Sequence, residues 1–94
     1  MIAFDLGEKK HVTIEVVSRK GEEFAILEAR YELIYTSDAT TEDSGSCTVV
    51  DHTIDSLISP NKTGVYRLRY TYHIADEILI ENMEVRVTNG RLKN

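Results

Sequence analysis

Apolar and polar residues alternate with a period of two along much of this chain, the signature of strands that bury one face. Val12, Ile14 and Val16 alternate with His11, Thr13 and Glu15. Between Phe24 and Tyr35, Leu27, Ala29, Tyr31, Leu33 and Tyr35 alternate with Glu28, Arg30 and Glu32. The apolar set changes parity near Ile26-Leu27, which predicts a bulge there. Glu, Ala, Leu and Arg within 22–30 also suit a helix, but the period of two runs on through Tyr35. The clearest strand begins at Gly64, with Tyr66, Leu68, Tyr70 and Tyr72 opposite Arg67, Arg69, Thr71 and His73.

The segments between these runs read as follows. Arg19-Lys20-Gly21-Glu22 has the composition of a turn, with Gly21 free to take positive φ, and would make a first hairpin of its flanking strands. Thr36 to Ser46 contains no large apolar residue and reads as an exposed loop. Ser46 to Asp51 is a short β-prone piece. Thr53 to Ser59 places Ile54, Leu57 and Ile58 at spacings that fit a strand or one or two helical turns, ended by Pro60. Ile74-Ala75-Asp76-Glu77 connects to a last strand, Ile78 to Thr88, whose core set shifts from Ile78 and Ile80 to Met83, Val85 and Val87. That parity change, at Glu81-Asn82, predicts a second bulge or bend. With Ile2 to Leu6 as the first strand, the expectation is an all-β, about seven-stranded antiparallel sandwich forming one domain over 1–94.

Lys62-Thr63-Gly64-Val65-Tyr66-Arg67-Leu68 resembles the start of strand F in immunoglobulin-like domains, where a glycine two residues before a tyrosine lets the chain turn and the tyrosine packs at a corner. Gly64 and Tyr66 match that pattern, while Leu68 stands where antibody domains carry a cysteine, and the chain has no tryptophan. The resemblance covers Asn61 to Val87 as a final hairpin and the rest by strand count. It is to the disulfide-free immunoglobulin-like domains of bacteria and bacteriophages, and implies a virion accessory or adhesive part.

Composition narrows the function. At 94 residues the chain supports one hydrophobic core. A formal charge of −5 without a dense basic cluster repels phosphate backbones, so nucleic acid is not an expected partner. Thr48-Val49-Val50, the longest run of little charge, is far short of the roughly 20 residues that span a bilayer, so no membrane role is expected. A lone cysteine, Cys47, and the lack of a leader pattern in 1–20 point to a reducing cytoplasm, or to a virion if the chain is phage-encoded.

Candidate chemistry is sparse. Cys47, Asp51, His52 and Asp55 are ligand types that zinc prefers, yet no Cys-x-x-Cys or His-x-x-x-His pair accompanies them. A Cys-His nucleophilic pair would need His11, His52 or His73 beside Cys47, with an orienting group and an oxyanion hole. Nothing in the spacing requires either, and no enzyme activity, cofactor or metal is expected. Asp38, Glu42 and Asp43, in the 36–46 loop, offer oxygens for calcium or a carbohydrate without EF-hand spacing. A ligand-binding module is therefore the second reading. The first is a non-catalytic structural or interaction module that presents a sheet face or edge to a protein partner or to its own copies. Its expected surface is the strip Arg67, Arg69, Glu84 and Arg86, with the tyrosines on the core side and their hydroxyls at the rim.

Overall fold

Residues 1–17 and 23–90 are described by the computed structural model. The alternating segments become eight strands: β1 (Ile2–Asp5), β2 (Lys10–Glu15), β3 (Ile26–Tyr35), β4 (Thr40–Ser46), β5 (Thr48–Val50), β6 (Thr53–Ile58), β7 (Gly64–Ile74) and β8 (Glu77–Thr88). They pack as a sandwich of a five-stranded sheet, order β1-β8-β7-β3-β4, and a three-stranded sheet, order β2-β6-β5. Pairing is antiparallel except between β1 and β8, which run parallel from Ile2↔Val85 to Asp5↔Thr88.

Three expectations are corrected. Most of the expected loop 36–46 is strand β4, the eighth strand, paired with β3 from Arg30↔Ser46 to Tyr35↔Thr40. An edge strand needs only one backbone partner, and small residues serve it: a Cβ on Gly45 would sit 3.3 Å from the Tyr31 ring. Secondly, β2 and β3 do not form a hairpin. β2 pairs with β6 and β3 with β7, in opposite sheets, because two one-sided strands cover each other's apolar faces only when stacked. The turn expected at Arg19 to Glu22 lies outside the described residues. Thirdly, β8 pairs with β7 without a register shift from Gly64↔Val87 to Ile74↔Glu77, so the bulge expected at Glu81-Asn82 is absent. Ile78 and Ile80, expected in the core, are 64% and 58% exposed. The Ala75-Asp76 turn sets the register, and an unbroken ladder of backbone hydrogen bonds outweighs the burial of two isoleucines. The all-β sandwich is as expected, its pairing mostly antiparallel with β1 alone adding in parallel. The bulge expected in β3 lies between Ile26 and Glu28, and Thr53–Ile58 is strand, flanked by β2 and β5.

Tight connections carry the chain between sheets. Gly7, at φ 98°, turns it out of β1 towards the second sheet, with Glu8 N–H donating to Asp5 O at 3.0 Å. Cys47 is the single residue between β4 and β5, and its N–H still donates to Ala29 O of β3 at 2.9 Å. Gly64 starts β7 at φ 128°, where a Cβ would lie 2.8 Å from the Tyr35 hydroxyl.

The core is aliphatic and tyrosine-rich. Leu33, Ile54, Tyr66, Leu68, Tyr70 and Val85 are wholly buried. Tyr31 donates to Asp43 at 2.9 Å and Tyr72 to Glu81 at 3.2 Å. Tyr66 donates to Glu42 and accepts the Lys62 N–H at 3.2 Å. Tyr70 keeps its hydroxyl inside, 2.8 Å from Ser56 Oγ and donating to Val12 O at 3.2 Å. Among the described residues no buried side-chain polar atom lacks a partner, as the cost of burying an unbonded hydroxyl requires.

Burial pushes the Tyr31, Tyr66 and Tyr70 hydroxyls up to about 12, with Asp43 and Glu42 adding to the first two. A folded-state pKa above the unfolded one gives stability that is complete below the unfolded value and lost as pH rises towards the folded one. The melting temperature is therefore expected to hold steady to about pH 9.5 and fall steeply above about pH 10, where unfolded tyrosine ionises. Tyrosinate absorbance should rise in the same step that abolishes the β-sheet circular dichroism; ionisation near pH 10 with the fold intact would contradict this account of the core. Gly64→Ala should destabilise the fold by about 2 kcal/mol through backbone strain and displacement of Tyr35, read as a lower denaturation midpoint.

Candidate functional site

Because Tyr66, Leu68, Tyr70 and Tyr72 point inwards, the residues between them form the outer face of the five-stranded sheet. Backbone register sets the rows of that face. Glu32, Arg69 and Asn82 are cross-strand neighbours, and Ile34, Arg67 and Glu84 form the next row. On the other side lie Arg30, Thr71 and Ile80, then Glu28, His73 and Ile78.

Charges on this face are partly paired. Arg69 places Nε and Nη2 at 2.9 and 2.7 Å from one Glu32 oxygen. Arg86 reaches Glu84 along its own strand at 3.0 Å, and His73 lies 3.7 Å from Glu28. Of the expected strip, Arg67 and Glu84 are direct cross-strand partners, whereas Arg69 stands opposite Asn82 and Arg86 opposite Val65. Only the first pair stands face to face, because antiparallel register fixes one partner per residue. Among the described residues, no carboxylate lies within 4 Å of Arg30 or Arg67. A shallow pocket of about 330 Å³ opens beside Thr36, Val65, Arg67 and Glu84.

Sequence reasoning missed the apolar end of this face. Ile78 and Ile80 occupy its last two rows on β8, and Leu27, 66% exposed, is the extra residue of the β3 bulge at the same end. The spacing Ile78, Ile80 against Met83, Val85, Val87 held the signal: a regular strand can bury only one of the two sets.

The expected ligand residues do not converge. Asp38 accepts the Thr40 N–H at 3.1 Å, and its hydrogen bonds to Thr40 hold its carboxyl below the usual range. Glu42 accepts from Tyr66 and from the Asn61 N–H at 3.0 Å. Asp43 accepts from Tyr31 and from the Ser44 N–H at 2.9 Å. Each carboxylate serves a different local contact of the fold.

The same dispersal separates Cys47, Asp51, His52 and Asp55. Asp55 lies 2.8 Å from His11 Nδ1, and Asp51 takes a left-handed turn position at φ 53°. His52 stacks on Phe24 with ring centroids 3.9 Å apart, and its Nε2–H donates to Phe24 O at 3.0 Å. Among the described residues no three His, Cys, Asp or Glu side chains are grouped to hold a metal ion. A larger opening, about 600 Å³, lies at one end of the sandwich between the apolar Phe24, Tyr72 and Leu79 and the acidic Glu15, Glu77 and Glu81.

No protein-family model, curated protein or solved structure matches this chain.

Cys47 is half-buried, and burial, reinforced by Asp55, pushes its thiol up to about 11 from an ordinary 9. Since the thiolate is the reactive form, alkylation of the native chain at pH 8 should run about a hundredfold slower than for an unhindered thiol. Iodoacetamide labelling followed by mass spectrometry reads this; labelling at the rate of the urea-unfolded chain would refute it.

Proposed function

We propose that the chain is a disulfide-free immunoglobulin-like sandwich that acts as a non-catalytic interaction module, meeting a protein partner with the outer face of its five-stranded sheet. Strand order supports the fold reading. β2-β6-β5 follows the B-E-D arrangement, and β8-β7-β3 follows G-F-C with β4 in the place of C′. Tyr66 sits at the start of β7 with its hydroxyl bonded to the backbone of Lys62, four residues upstream, as the corner tyrosine of that fold does.

The functional reading rests on one observation: the outward rows that water would ordinarily make polar hold Ile78 and Ile80. Thr71 and His73 lie beside them, Arg30 ends the row of Ile80 and Arg69 stands in the next row, and arginine is enriched where proteins meet. Of the four sheet edges, β1 has four residues and β5 three, lengths that discourage strand addition, while β2 and β4, with six and seven, are longer.

A photo-crosslinking amino acid at Thr71, in the middle of this face, and another at Thr13, on the outer face of the other sheet, test the reading in cells that make the chain. Discrete protein adducts are expected from position 71 and not from 13. Adducts from 13 alone, or from neither position, would remove this face from consideration.

A further inference from the structure

We infer that the partner of this face is a second copy of the chain, packed across a twofold axis with the two five-stranded sheets face to face. This rests on the reading of the outer face as an interface and names its occupant.

Charge distribution selects the occupant. The chain carries −5 overall, and most of its surfaces would repel their own copy. The outer face of the three-stranded sheet shows why. Its outward positions on β2 and β6 include Glu15 and Asp55, and the one basic group among them, His11, is already beside Asp55. Two such faces brought together would oppose like charges with no arginine or lysine to offset them. The five-stranded face differs. Its outward rows on β3, β7 and β8 set four arginines against three glutamates, so it meets its own copy without net repulsion. Arg30 and Arg67 have no carboxylate within 4 Å among the described residues, and a second copy supplies carboxylates of this same face. A twofold contact is self-complementary by construction, and it is the commonest form of assembly.

Apolar surface and size agree with that occupant. Ile78 and Ile80 are more than half exposed on a strand whose inner face is buried at Val85 and Val87, and contact with a copy removes them from water. The five strands make a face roughly 20 Å wide, and the paired span of β3, β7 and β8 is roughly 25 Å long. With side-chain relief this is on the scale of the roughly 800 Å² that each partner contributes to a standard interface.

Light scattering after size exclusion, on the full chain in reducing buffer, tests the assembly. At about 100 µM, enough to populate a complex of micromolar Kd, the expected mass is twice the 10.7 kDa of one chain, falling towards one chain on dilution. Ile80→Lys should give the single-chain mass at every concentration, and Arg67→Glu should shift dissociation to at least tenfold higher concentration. Leu57→Lys, on the opposite outer face and also exposed, should leave the dimer unchanged. Circular dichroism, with melting temperatures compared at dilutions where the unsubstituted chain is itself dissociated, confirms that the variants fold, since all three positions lie on outer faces. A single-chain mass throughout, an assembly larger than two, or a dimer that survives Ile80→Lys would overturn the inference. Crosslinks from Thr71 to a different protein would then leave the interaction-module reading standing with another partner, whereas loss of both results would remove both readings.

Discussion

The two sheets are held in one alignment by a buried hydroxyl. Tyr70, on the central strand β7, crosses the sandwich and bonds to Ser56 of β6 and to the Val12 carbonyl of β2. An aliphatic interface tolerates small sliding at little cost, because dispersion attraction given up on one side is recovered on the other. A buried hydroxyl does not, because losing its partners costs about 1–3 kcal/mol. Ser56 is the buried polar residue that makes this contact, and its short side chain leaves room for the phenol. With β7 pinned over β2 and β6, its inward set is fixed as Tyr66, Leu68, Tyr70 and Tyr72. Everything on the outer face follows from that choice.

The remaining tyrosines extend the same logic to the rim. Tyr31, Tyr66 and Tyr72 bury their rings and hand their hydroxyls to Asp43, Glu42 and Glu81. Acidic residues that look from the sequence like ligands are therefore acceptors for core tyrosines. The arrangement explains why β4, a strand of small polar residues, stays on the sheet edge: besides its ladder to β3, it supplies the carboxylates that satisfy tyrosines of β3 and β7. Glu42 also takes the Asn61 N–H, tying β4 to the segment that leads into β7. The acidic stretch is structural adhesive at the sheet edge.

Legibility in the sequence tracked how local the deciding force was. β7 and most of β3 were plain because alternation of aromatic and charged residues is a property of each strand alone, and the β3 bulge showed in the parity of its own apolar residues. β4 was hidden because its inward residues are glycine and aspartate, whose fit depends on Tyr31 of another strand. The destination of β2 was hidden too, since a one-sided strand carries no mark of which sheet it joins. Of the surface strip, the Arg67 and Glu84 neighbours were legible from the final hairpin. The tighter Arg69 and Glu32 pair was not, because β3 and β7 are 37 positions apart at that contact and only the assembled sheet makes them adjacent. Ile78 and Ile80 were misplaced because hydrophobicity was read as burial, a rule that runs in one direction only.

The unequal sheets give the molecule its polarity. Three strands cannot roof five, and among the described residues part of the inner face at the start of β8 is half-covered, with Phe24, Ile74 and Leu79 only partly buried there. Glu81 occupies an inward position at this mouth and is tolerable because it meets the Tyr72 hydroxyl and water together. The same end of the sheet carries Ile78 and Ile80 on its other side. Both faces of the β7–β8 hairpin tip thus hold aliphatic residues without full cover among the described residues. On the inner side the rim of glutamates keeps the opening wetted. On the outer side no such rim surrounds the isoleucines, and the near-balanced charges beside them do not repel an approaching protein surface. Of the two, only the outer side combines apolar area with a flat backbone scaffold and unopposed guanidinium groups. Those are the elements from which a specific protein contact is made.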